Sequence, residues 1–92
     1  MLRLGNYLLV CAAEECNEVA QRITKAIRFG LDEVQPGQSL TNRERIIEEY
    51  NDLIAVMRLI ELHVEDPMAQ VRKVEKVARY QRYAEERGTL KP

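Results

Sequence analysis

An all-α fold follows from three observations. Apolar residues recur at three- and four-residue steps along three segments, and no stretch shows the two-residue alternation of a strand. Helix-start and helix-stop residues bracket those segments. The expected architecture is a bundle of three main helices, completed by association with further copies of the chain.

The first helix is expected from about Tyr7 to Phe29, capped by Asn6 and stopped at Gly30, a residue that tolerates positive φ. Leu9, Ala12, Cys16, Val19, Ala20, Ile23 and Ile27 form its apolar stripe. Residues 31–40 contain Pro36-Gly37 and read as a loop. The second helix opens with a capping box, in which Thr41 accepts from the first turn and Glu44 reaches back to Thr41. It is expected to run to about Leu62. Ile46, Ile47, Tyr50, Leu53, Ile54, Met57 and Ile60 cover a wide arc, so it should be the most buried helix. Asp66-Pro67 supplies an N-cap followed by proline at the first helical position. The third helix then continues to about Glu86, ahead of Gly88, with a narrower seam of Met68, Val71, Val74, Val77 and Ala78.

Size explains the expected association. The 92 residues make one domain, because a second independent core would not fit. The first two helices would each be about 34 Å long at 1.5 Å per residue. Three such rods cannot enclose every apolar position, so homo-oligomerisation through helix packing is expected.

Composition excludes several classes. The chain is 46% hydrophobic and 32% charged, with 4 Gly and 3 Pro, which argues against disorder and against a loop-rich fold. No apolar run approaches the roughly 18 residues of a membrane span, and the N-terminal stretch does not read as a signal peptide. Net charge is −1, which makes nucleic acid an unlikely partner. The charge is uneven: residues 1–66 hold 7 Lys/Arg against 12 Asp/Glu, a balance of −5, and residues 67–92 hold 7 against 3, a balance of +4. Cys11 and Cys16 project about 140° apart on one helix and cannot bridge each other. Free thiols suit a reducing, cytoplasmic setting. Two thiols and His63 are too few donors for zinc.

The chemistry-bearing residues are acids. Glu14-Glu15-Cys16-Asn17-Glu18 lies on the first helix and Glu48-Glu49-Tyr50-Asn51-Asp52 on the second. Glu15 and Glu18 share a face at i, i+3, and Glu49 and Asp52 repeat that spacing. In an antiparallel hairpin the two clusters meet near mid-height. Carboxylates about 4 Å apart repel by roughly 1 kcal/mol in water and roughly 4 kcal/mol at an effective dielectric near 20. Convergence therefore calls for a cation, and hard oxygen donors without His or Cys suit Mg²⁺ or Mn²⁺. The ordinary alternative is solvated acids, each helix showing its charge to water.

Glu-Glu-x-x-Glu followed on the next helix by Glu-x-x-Asp resembles the MazG-like, all-α nucleoside triphosphate pyrophosphohydrolases, through Glu14, Glu15, Glu18, Glu49 and Asp52. Residues 15–19, 25–30, 42–45 and 48–53 look like the small, phage-type members, which would place the chain in a host cytoplasm. Tyr50-Asn51 stands where larger members carry Leu-Gly, with the Glu-to-Asp spacing kept. The resemblance implies Mg²⁺-dependent hydrolysis of a nucleoside triphosphate to a monophosphate and pyrophosphate, in a dimer or tetramer. It implies that Glu15, Glu18, Glu49 and Asp52 hold the metal, with Glu14 a further ligand, a base that orients water, or simply an exposed acid. Lys25 and Arg22 lie on the face of Glu18 and suit phosphate oxygens; Arg22 can instead pair with Glu18 at i, i+4. Lys76 and Tyr80, one turn apart on the basic third helix, could reach the phosphates or base, or belong to a solvated face. The alternative class is a non-catalytic MazG-like module that binds a nucleotide alarmone or a protein.

Overall fold

The computed structural model describes residues 1–91. It is all-helical: α1 spans Leu4–Phe29, α2 Asn42–Leu59 and α3 Pro67–Arg87. Among the described residues the one β-type pairing is an isolated bridge between Val34 and Thr41, inside the α1–α2 loop.

α1 and α2 form an antiparallel hairpin, closed at one end by the loop and bringing Leu4–Leu9 beside Leu59–Leu62 at the other. Its loop is held by backbone. Asn42 N–H donates to Glu33 O at 2.9 Å and Arg43 N–H to Leu31 O at 2.8 Å. Pro36-Gly37 makes the expected turn, with Gln38 N–H on Gln35 O and Gly37 at φ 81°, a value that glycine adopts without strain. The most enclosed of the described residues is Asn42, only 3% exposed, whose Nδ2 donates to Gly30 O at 2.8 Å. This bond ties the end of α1 to the start of α2.

The helix ends follow short-range chemistry where it is present. The capping box forms in full: Glu44 N–H donates to Thr41 Oγ1 at 3.1 Å, and Thr41 N–H to Glu44 Oε1 at 3.0 Å. These bonds pull the Glu44 carboxyl below its ordinary pKa, Thr41 N–H first and Thr41 hydroxyl second. Asp66 caps α3 through Ala69 N–H at 3.0 Å, with Pro67 at the first helical position. Gly88 closes α3 in the left-handed region.

Two boundaries differ from expectation. α1 begins at Leu4, before Asn6, because Arg3 O accepts from Tyr7 N–H at 2.9 Å and closes one more turn. The remaining N–H groups there lie at an exposed end where water satisfies them. α2 stops at Leu59, three residues short of Leu62. Glu61 takes φ 58°, Glu61 N–H donates to Arg58 O, and Leu62 N–H donates to Met57 O. That is a Schellman closure with glutamate in the place glycine usually takes. His63 therefore lies beyond the helix, its Nε2 3.6 Å from Glu65 Oε1. A side chain in the left-handed region costs roughly 1 kcal/mol. Glu61→Gly is accordingly expected to raise the melting temperature by about 4–8 °C, as a thermal melt would read.

The expected bundle is not closed within one chain. No α3 Cα lies within 8 Å of one in α1 or α2. The Cα radius of gyration is 16.9 Å, against about 12 Å for a compact chain of this length. α2 is not the buried helix that its wide apolar arc suggested. Its apolar residues are half-buried or exposed, and the buried apolar positions are Ala12 and Ala26 of α1. No helix among the described residues is long and apolar enough to cross a membrane.

Candidate metal centre

α1 does not turn its whole apolar stripe towards α2. Leu8, Ala12, Val19 and Ala26 face inward, and so do Glu15, Glu18 and Arg22, all of them half-buried or buried. Leu9, Cys16, Ala20, Ile23 and Ile27 are exposed, within about 60° of one another. On α2, Arg45, Ile46, Glu49, Leu53 and Met57 are half-buried, while Ile47 and Tyr50 are exposed on an arc that Ile54 shares. Because the helices run antiparallel, both outer stripes fall on one side of the hairpin and the acids on the other. Charge is thus drawn into the helix–helix seam while apolar surface is left outside.

In that seam Glu15, Glu49 and Asp52 each place one carboxylate oxygen within 4.8 Å of the others. Glu15 and Glu49 are half-buried and Asp52 is exposed, so the cluster is anchored inside and open to water at Asp52. Glu15 Oε2 is sealed from solvent with no hydrogen-bond partner. Burial, then the charges of Asp52 and Glu49, push the Glu15 carboxyl above its ordinary pKa, with Glu18 and Glu14 adding smaller repulsions. The expected meeting of the clusters near mid-height is therefore present for these three acids.

Arg22 crosses to α2: its Nε lies 3.8 Å from Glu49 Oε1, and the pairing with Glu18 does not form. Its Nε and Nη1 are buried without hydrogen-bond partners. Three carboxylates against one guanidinium leave an excess of two negative charges at the cluster. That excess, the hard oxygen donors and the orphaned Glu15 oxygen fit a divalent cation such as Mg²⁺ or Mn²⁺. Zinc chemistry does not fit, because no His or Cys joins the group.

The other acids and cations lie around this centre or apart from it. Glu18 is half-buried and outside the close trio, and Glu14 is exposed. Lys25 lines a shallow concavity along α1 with Asn17, Gln21, Thr24 and Arg28. Lys76 and Tyr80 are stacked on each other on α3, Nζ 5.8 Å from the ring centre, and one chain does not bring them to the acids. Asn51 Nδ2 donates to Ile47 O at 2.8 Å, so its amide is committed to its own helix. Sequence reasoning missed Asn42, whose bond to Gly30 O sets the two helices that carry the acids beside each other. It follows the N-cap directly, where a polar residue is unremarkable, and no local pattern marks its partner. Cys11 and Cys16 are free.

Compared with known protein families, curated proteins and solved structures, the chain matches none.

Proposed function

We propose that the chain is a Mg²⁺-dependent, MazG-like nucleotide pyrophosphohydrolase that cleaves a (d)NTP to a (d)NMP and pyrophosphate, working as a homo-oligomer. One observation carries the reading: three carboxylates from two helices converge within 4.8 Å, with one oxygen buried and unpartnered. Converging acids are costly without a cation, and a cation held by oxygens alone suits phosphoanhydride chemistry.

Glu15, Glu49 and Asp52 would hold the metal, with Glu18 completing the set from the next turn of α1. Mg²⁺ bound there would supply positive charge to the triphosphate oxygens and favour deprotonation of the attacking water. Arg22, paired with Glu49, sets a positive charge beside the acids that would favour a phosphate oxygen there. Lys25, three residues further along α1, extends that positive character. Glu14, exposed beside Glu15, would orient water or remain solvated.

The test is incubation of the purified protein with a panel of NTPs and dNTPs plus Mg²⁺. The expected products are monophosphate and pyrophosphate. Orthophosphate alone, or no turnover, overturns the assignment; nucleotide binding without product favours the non-catalytic module.

A further inference from the structure

We propose that α3 is an exchanged arm: its seam of Val71, Val74 and Ala78 seats on the apolar side of the hairpin of a second copy, and that copy's α3 returns the contact. This deepens the homo-oligomer of the proposed function by naming the surfaces that meet, and it rests on that oligomer.

Three observations carry it. First, among the described residues α3 packs against neither α1 nor α2, with Val74 68% exposed and Met68, Val71 and Val77 also in water. An isolated helix of this length is marginal in water without tertiary packing. Second, the hairpin leaves a complementary surface open: Leu9, Ile23 and Ile27 of α1, with Ile27 79% exposed, beside Ile47 and Tyr50 of α2. The area matches. The chain exposes 7636 Å², where a compact chain of this mass exposes about 5500 Å². The excess is what each partner hides in a large obligate dimer.

Third, coverage selects which surfaces pair. Hairpin against hairpin leaves both α3 seams in water, and α3 against α3 leaves both hairpin faces there. Hairpin against α3 covers all of them, and a twofold exchange makes that contact twice in a closed dimer.

The native Cys16 provides the probe, since it lies on the exposed apolar side between Leu9 and Ile23. Two full-length variants are mixed and oxidised, both in a Cys11→Ser background. One keeps Cys16; the other carries Cys16→Ser with Val71→Cys, Val74→Cys or Ala78→Cys. The expected result is a disulfide-linked heterodimer on a non-reducing gel for at least one α3 position. In unmodified protein, sedimentation should give a dimer whose dissociation constant rises at least tenfold in Val74→Asp. A dimer that cross-links only through Cys16 to Cys16 overturns the exchange and leaves the oligomer standing. A monomer, or a disulfide formed only within one chain when both cysteines are present together, overturns both. Val74→Asp that dimerises as tightly as the parent also overturns the exchange, and circular dichroism confirms that its helices persist.

Discussion

Asp52→Asn is expected to lower Mg²⁺-dependent turnover at least about 100-fold, because even groups one step removed from a metal ligand cost 10–100-fold. Steady-state hydrolysis of the best nucleotide, with Mg²⁺ titrated, reads the loss. Glu15→Gln should do the same to activity and the opposite to stability without metal. The acids of the trio stand within 4.8 Å, and in this partly wet site a pair at that distance repels by about 1 kcal/mol. Removing the Glu15 charge should therefore raise the metal-free melting temperature by about 4–8 °C. In the parent, Mg²⁺ at about 100 times its Kd should add about 2.7 kcal/mol, a gain that the variant largely forfeits. An unchanged or lower metal-free melting point in Glu15→Gln contradicts the convergence.

Protonation gives the same result a second readout. Folding raises the Glu15 pKa, so its contribution to metal-free stability is fullest below the ordinary carboxylate range. It is lost as pH rises through the raised value. Glu44 has the other sign: its pKa is lowered, so its contribution is present above the ordinary value and lost as pH falls through the lowered one. Melting scans in chelator across the acid range should show both slopes. Glu15→Gln should remove only the loss on the rising side.

Asn42→Ala is expected to be the most damaging single change far from the acids. It deletes the bond that the nearly enclosed Asn42 amide makes to Gly30 O across the two helix ends. The cost is about 0.5–1.5 kcal/mol, at roughly 4–8 °C of melting temperature per kcal/mol. Because this bond sets α1 beside α2, Mg²⁺ affinity should fall as well, measured by the metal-induced shift in melting temperature. Loss of stability with an unchanged metal response would confine Asn42 to the loop.

Where a signal is local, the sequence carries it plainly. Thr41 with Glu44, Asp66 with Pro67, and Gly88 each place a helix end through bonds spanning a few residues. The i, i+3 spacing likewise puts Glu49 and Asp52 on one face of α2, but their meeting with Glu15 depends also on the hairpin's registry and on the rotation of α1. The end of α2 was not legible, since Glu61 closes it in a conformation that glycine normally announces. Nor was the inward turn of Glu15 and Arg22, because the apolar stripe of α1 argues for the opposite rotation. Only the packing partner decides which part of a stripe faces inward. The detachment of α3 was hidden for the same reason: a seam of Val71, Val74 and Ala78 specifies that something packs there, not which chain supplies it.

The back-to-back arrangement of the hairpin has a practical corollary. In the proposed dimer, whatever shields the oily side would leave the ionic side unobstructed, so small anions could enter and depart while the subunits stay joined. Specific activity should then be flat across protein dilutions above the assembly threshold, and collapse only where the subunits themselves come apart.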